Sequence, residues 1–505
     1  MLSGNVTVTS AAVAGVGSLT LTNDSGDNDI NVYRLDATHV EIDAFGGTTI
    51  NGADSAVFAL SNVTGITVNL GSGFDAYNIG SNPGDPALNI GSGGILFKGA
   101  SGGGAGVDLQ VYNASSNAMT IRGSVTFQGP KPGSAYTETS SDHSYFYVYT
   151  DSGSGHLTIG GSISARETET SSGYFSNHVS TSDGNLNVNG SVSLAMSGGK
   201  GFDNDIFTWG SGSISIGLDV TESMTGSDGG GYNLLHAYSG SGNITVGLCV
   251  TQTLSGTGMD YYNGVISSDT GGTGSVKIGG SLRQTASTDH YAENQVFASG
   301  SGSTAIGAGI VGGCVTQTMT TTGDGYGLNR IVTKGDGSVT IGNKLRGVLG
   351  GSVVQFNTSA EFVKNYIATY TGTGGITVAG SVTQNSASSA SAVNMENDII
   401  AGDGGGIGKI TIRGSVTIND TGTYDHDNEI EALAGPSSLT IAGSVVVTDA
   451  ATGSGKQSLQ IQGNVYFGGG LTVVMNGTDA LININNGSGF GTVQVKGLFV
   501  ARMLG

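Results

Sequence analysis

One phrase recurs through this chain with variations, and the repetition limits the fold more than any other feature. It reads GSGNITVGLCVTQTLSG at 240–256, GSGHLTIGGSISA at 153–165, DGNLNVNGSVSLAM at 183–196 and TGTGGITVAGSVTQN at 371–385. Aligned on apolar-x-Gly-x-apolar, the leading apolar positions are Ile121, Ile159, Val188, Ile216, Val246, Ile278, Val311, Ile341, Val378, Ile412, Ile441 and Ile461. Each unit alternates apolar and polar residues between Gly-rich turns, as in SLTIAGSVVVT from Ser438. Period-2 alternation is the mark of half-buried β-strand, and no helical pattern competes with it. Units of about 30 residues are too short for the four strands of a propeller blade. They suit one coil of a solenoid, whose strands stack in parallel on the next coil about 4.8 Å away.

The expected fold is therefore all-β: a parallel β-solenoid, expected to be right-handed. Its repeats span residues 86–467. Residues 1–85 carry β patterns without the full repeat, as a separate module or as irregular first coils. Residues 468–505 read as terminal strands and an assembly end. The chain has 91 Gly but no G-X-Y period, so collagen is excluded.

A second recurring element is x-Asn-x-apolar ahead of the Gly turns. It places Asn177, Asn204, Asn233, Asn263, Asn294, Asn329, Asn365, Asn397 and Asn428 at one position of successive coils. Residues two apart on a strand share a face, so these amides are expected to point inward and bond from coil to coil. The other reading makes each Asn a turn residue. Three residues beyond the Asn come Phe207, Ile266, Phe297, Val332 and Ile400, with Trp209 close by. By parity they face outward, as a lateral contact stripe or as a surface covered by a loop such as 347–363. Cys249 and Cys314 occupy matching places with one unit between them. Two coils are too far for a disulfide, so both are expected as free thiols without a metal.

Charge narrows the partners. Thirty-eight Asp and Glu against 18 Lys and Arg give −20, which argues against nucleic acid and anionic membranes. No apolar run is long enough to span a bilayer. MLSGNVTVTS lacks the basic start and apolar core of a signal peptide, which suggests either a cytosolic protein or a mature or trimmed chain. The acidic surface, rich in Ser, Thr and Asn, suits an extracellular setting.

Any chemistry would fall to the carboxylates. Asp425, His426, Asp427, Glu429 and Glu431 lie together in YDHDNEIEAL, with Glu396 and Lys364 in neighbouring units. Without a second carboxylate layer this reads as a solvated turn. Asp24, Asp27 and Asp29 in NDSGDNDI, and Asp75 in GSGFDAYNI, are the candidates for Ca²⁺, since the latter stretch is like one loose copy of a calcium-binding nonapeptide. No other cofactor is implied, and no motif marks a catalytic centre.

The opening MLSGNVTVT resembles the end of the LEPR-XLL signature of large surface proteins from planctomycete-type bacteria. The following NDSGDNDINVYRLDATHVEIDAFGGTTINGADS resembles their Gly/Asp-rich β repeats, and the likeness extends from Met1 to the neighbourhood of Gly80. The resemblance implies export and no enzymatic activity; the LEPR residues themselves are not in this sequence. The expected function is a structural protomer of an extracellular filament or surface layer, a homopolymer joined head-to-tail through open solenoid ends. The alternatives are a carbohydrate-active solenoid enzyme and a glycan-binding adhesin.

Overall fold

The computed structural model describes residues 4–504, apart from 101–105, 130–142, 152, 154, 169–173, 200, 227–228, 259, 269–270, 309–312, 323–324, 346–347, 360, 389–393, 424, 434, 451–454, 477–478 and 486–490. The chain forms two compact units, Met1–Leu234 with Ser241–Gly247, and Leu235–Gly240 with Leu248–Gly505. Each is a parallel β-solenoid with coils of about 31 residues. Among the described residues there is no α-helix, and no helix long and apolar enough to cross a membrane.

One coil of the first unit shows the plan. A short strand, Leu157–Ile159, is followed by a bend, a second strand, Ile163–Thr168, and a long strand, Tyr174–Thr181. Each pairs in parallel with its counterpart in the next coil: Leu186–Val188, Val192–Ser197 and Gly201–Thr208. Short and second strands share one sheet and the long strands form the other. Alternation buries every second residue, so Val148, Val179 and Ile206 stack in one internal column. The core is thus a set of columns running through the coils.

The turns explain the abundant glycine. A Cβ placed on Gly302, Gly337 or Gly374 would sit 2.1 Å from the carbonyl oxygen of the matching Gly one coil earlier. Stacked GSG, GDG and GTG turns approach too closely for any side chain.

Residues 1–85 begin the first solenoid and also fold back over it. Val16–Asn23 and Asn28–Arg34 stack in parallel on the following coil. Asn5–Val13 then lies antiparallel on the first of these, joined through Ala14 (φ 52°) and Gly15 (φ 78°). Two positive φ values at a two-residue loop are what a tight β-hairpin needs. Val40–Phe45 lies antiparallel on Asn28–Arg34, and Ser55–Phe58 antiparallel on Val40–Phe45. The expected open amino-terminal edge is therefore corrected. Antiparallel strands cover the first coil, a common way of blunting a sheet edge.

The second unit ends differently. Asp479–Asn485, Val493–Val495 and Phe499–Met503 each pair with the preceding coil, and no described strand lies on their other side.

Two repeat positions also need correction. Ile306, not Val311, ends the short strand of its coil, and Val311 lies outside the described residues. Ile461 belongs to a long strand, and Phe467 takes the short-strand place. A longer link follows Ile306, whereas only Asn464 separates Lys456–Gly463 from Val465–Phe467, so the spacing lengthens at one site and shortens at the other.

Candidate functional site

All nine asparagines are fully buried. In the first unit Asn177 Nδ2 donates to Asn204 Oδ1, and Asn204 Nδ2 to Asn233 Oδ1, each at 2.9 Å. In the second unit the same bond runs from Asn263 to Asn294 (2.8 Å), Asn329 (2.9 Å), Asn365 (3.0 Å), Asn397 (2.8 Å) and Asn428 (3.3 Å). Most of these amides donate to a backbone carbonyl as well, as Asn329 does to Phe356 O.

A second ladder, absent from the sequence expectations, runs beside the first. Gln252, Gln284, Gln317, Gln355 and Gln384 occupy one inward column of the second strands. Each Nε2 from Gln284 onward donates to the Oε1 of the preceding Gln at 2.8–2.9 Å. The same Nε2 groups reach across the lumen to carbonyls of the long strands, such as Asn294 O from Gln317. The signal was present in the recurring VTQT, LRQT, VVQF and VTQN.

The outward stripe is mostly not available for contact. Phe207, Ile266, Val332 and Ile400 are buried, Phe297 is half-buried, and only Trp209 is well exposed, at 50%. Val332 and Ile400 pack with Tyr366 and Ala368, against Phe297, Leu328 and Tyr370. Parity gave their direction correctly, but stacked neighbours one coil apart cover one another. Within the span expected as a cover, Val353–Thr358 is an ordinary second strand.

Beside this stripe, the outer face of the second unit carries its densest array of ionisable groups. Strand register sets Lys364, Glu396 and Asp427 in one column and Tyr366, Asp398 and Glu429 in the next. Ala368, Ile400 and Glu431 form the third. Lys364 Nζ lies 2.6 Å from Glu396 Oε2, 2.8 Å from Asp398 Oδ2, and 4.5 Å from the centre of the Tyr366 ring. Burial opposes the lysine charge, but Asp398 and Glu396 outweigh it and hold the ammonium above its usual range. Burial pushes the Asp398 carboxyl up to about 7, although Lys364 pulls the other way. Burial, then Glu431, Asp398 and Asp427, push Glu429 up to about 8. A second carboxylate layer therefore exists, contrary to the expectation of a lone solvated turn. Asp398 and Glu396 supply it, one coil before Glu429 and Asp427.

The histidine of that turn goes elsewhere. His426 points inward and meets Asp449 inside the coil.

Three of the four calcium candidates accept backbone N–H bonds. Asp24 accepts from the N–H of Asn5 and of Gly26, and Asp27 from that of Phe74. Asp75 is buried, accepting from Asn28 Nδ2 at 2.9 Å and Gly71 N–H at 2.7 Å, and burial raises it to about 7. The N–H of Asp29 donates to Thr48. Among the described residues no three of these carboxylates offer oxygens within 4.8 Å of one another. Cys249 and Cys314 are not joined in a disulfide, and Ser281 is stacked between them.

Fold and repeat together define a parallel β-solenoid repeat protein. Compared with protein-family models, curated proteins and solved structures, the chain matches none of them.

Proposed function

We propose that the protein is a structural solenoid of an extracellular filament or surface layer, whose copies join head-to-tail. The observation that carries this reading is the last coil. Among the described residues its three strands have one unpaired edge, and Leu481, Ile484, Leu498, Phe499, Met503 and Leu504 around them are exposed, Leu498 by 75%. Repeat proteins that stay monomeric protect such ends. The occupant proposed is the amino-terminal face of a second copy. Charge favours it: residues 479–505 carry Lys496 and Arg502 against Asp479 alone. Residues 4–60 carry Asp24, Asp27, Asp29, Asp36, Glu41, Asp43 and Asp54 against one Arg. Of the covering strands, Asn5–Val13 runs antiparallel to the coils and Ser55–Phe58 runs with them, so the junction is a mixed ladder. Such a contact is heterologous and propagates into a fibre. The resemblance of the amino-terminal segment to exported surface proteins fits this setting.

Sedimentation velocity and negative-stain microscopy of the 505-residue chain test the proposal. Filaments are expected at low salt, with Leu498→Glu and Phe499→Asp each preventing them. A chain that stays monomeric when concentrated, or variants that assemble unchanged, would refute it.

The second reading, a glycan-binding or glycan-cleaving face, is favoured by Asp398 and Glu429. Adjacent coils set two carboxyls side by side, and with Asp398 raised to about 7 and Glu429 to about 8 one can hold a proton while the other is ionised, as an acid–base pair requires. Release of reducing sugar from a polysaccharide panel, lost in Glu429→Gln, would support it.

A further inference from the structure

We propose that Asp420, His426 and Asp449 form a buried site for one divalent transition-metal cation of the zinc class, inside the second unit. The three residues come from three strands. Asp420 and Asp449 are register partners on successive second strands, Val416–Thr421 and Val445–Asp449. His426 opens the long strand His426–Ala432, and its ring enters the lumen. None is more than 1% exposed, and each offers one ligand atom within 4.8 Å of the others.

The hydrogen bonds do not close this cluster. Asp420 is served by amides, accepting from Asn397 Nδ2 and, at 2.7 Å, from Asn428 Nδ2. These are the last two rungs of the asparagine ladder, since the next residue in that column is Leu459. His426 Nδ1 meets Asp449 Oδ1. Asp449 Oδ2 and His426 Nε2 are both buried with no partner among the described residues. A network that merely ended the ladder would not need a second aspartate bearing an orphan oxygen. Such an oxygen costs about 1–3 kcal/mol where nothing answers it.

Charge points the same way. Two carboxyl groups one coil apart share the interior with a single imidazole, and among the described residues no Lys or Arg is paired with either carboxyl. Isolated buried charge is strongly disfavoured, and a divalent cation cancels it. The donor set selects the class. One imidazole nitrogen and two carboxylate oxygens suit Zn²⁺ or Co²⁺, with water or an amide oxygen completing four-coordination. Ca²⁺ and Mg²⁺ require six or more oxygens. A Cβ on Gly422 would lie 3.3 Å from His426 Nε2, so that nitrogen faces the turn and Nδ1 is the ligand atom. The site has no exposed member, so the cation enters as the coil forms and its binding is coupled to folding.

The test refolds the full chain from denaturant with chelator, with Zn²⁺, or with Co²⁺, followed by dialysis and elemental analysis. The expected result is about one retained equivalent per chain, a Co²⁺ visible spectrum of four-coordinate type, and slower refolding with chelator. His426→Gln and Asp449→Asn should each reduce the retained cation to background while keeping the β circular-dichroism signal. Wild-type protein that refolds equally well and retains no cation overturns the proposal, as do variants that retain the full equivalent. Should either variant fail to fold, the wild-type stoichiometry and Co²⁺ spectrum decide alone.

Discussion

Within the second unit, the coils from Tyr261 to Thr369 and those from Asn394 to Asp449 share one strand plan but bury polar groups in opposite ways. The earlier coils use Asn and Gln, and nearly every amide finds its like one coil away. The later coils keep Asn397 and Asn428 but add Asp and Glu, with shifted ionisation outside and orphaned atoms inside. The reason is symmetry. An amide is both donor and acceptor, so its pattern repeats under translation by one coil. An ionised carboxylate only accepts, so a stack of them cannot propagate. It must be relieved by a proton, by a cation such as Lys364, or by a metal. The column Asn357, Ser386, Asp420, Asp449 makes this change from amide to carboxyl within four successive coils.

The largest way to sharpen this contrast is pH. Asp398 and Glu429 have folded pKa values raised above their unfolded ones, so the folded chain holds more protons between the two. Their contribution is fully present below about pH 4 and is lost as pH rises through about 7 for Asp398 and about 8 for Glu429. For buried Asp398 alone the change is on the order of 4 kcal/mol. Hydrogen exchange at pH 5 and pH 9, corrected for the intrinsic rate, should show Asn394–Ala401 and His426–Ala432 opening more readily at pH 9. Amide-laddered Val315–Thr321, which has no ionisable side chain, should not respond. Equal pH response in both regions would break the distinction.

Next in size is Asn329→Leu. Asn329 serves Asn365 Oδ1 and Phe356 O, and receives Asn294 Nδ2. Asn294 keeps Thr318 O, but Asn365 Oδ1 loses its ladder donor and Phe356 O loses a side-chain bond. A loss of about 3 kcal/mol is expected in chemical denaturation. A loss below about 0.5 kcal/mol would mean the ladder bonds are not what holds these coils.

These contrasts were unequally visible in the sequence. The Asn column was readable because one residue type returns at one offset from an apolar partner. The Gln column is as regular, yet Gln within a Thr-rich strand looks like surface until parity is set by the register. Asp398 sits beside a ladder residue in ENDII, and its neighbours Tyr366 and Glu429 lie one coil before it and one coil after it. Repeat spacing locates such neighbours only if every insertion is placed correctly, and the one before Cys314 displaced Val311 for Ile306. Asp420, His426 and Asp449 follow no periodic rule and meet only across the lumen. The stripe through Val332 and Ile400 shows the limit of alternation, which gives a side chain's direction but not what covers it. The amino-terminal cover was encoded in the Ala14–Gly15 turn between two alternating runs, a hairpin signal hidden by attention to the repeat.

The smallest expected effect separates the middle of a ladder from its end. Gln317 Nε2 donates to Gln284 Oε1, Asn294 O and Arg330 O, and its Oε1 receives Gln355 Nε2. Gln384 donates in the same way to Gln355 Oε1, Asn365 O and Asp398 O. Its own Oε1 has no donor among the described residues, because Ile418 follows in the column. Leucine at 317 therefore removes a satisfied acceptor and frees the Gln355 donor. Leucine at 384 removes an acceptor that was already a cost. Both substitutions take away the same three donations and add the same apolar volume, so the difference isolates the missing bond. Gln384→Leu should be the milder by about 1 kcal/mol. Equilibrium denaturation of the two variants side by side measures it. Equal losses would show that the orphan oxygen is paired in solution, and a larger loss at 384 would show that the ladder's end contributes more than its middle.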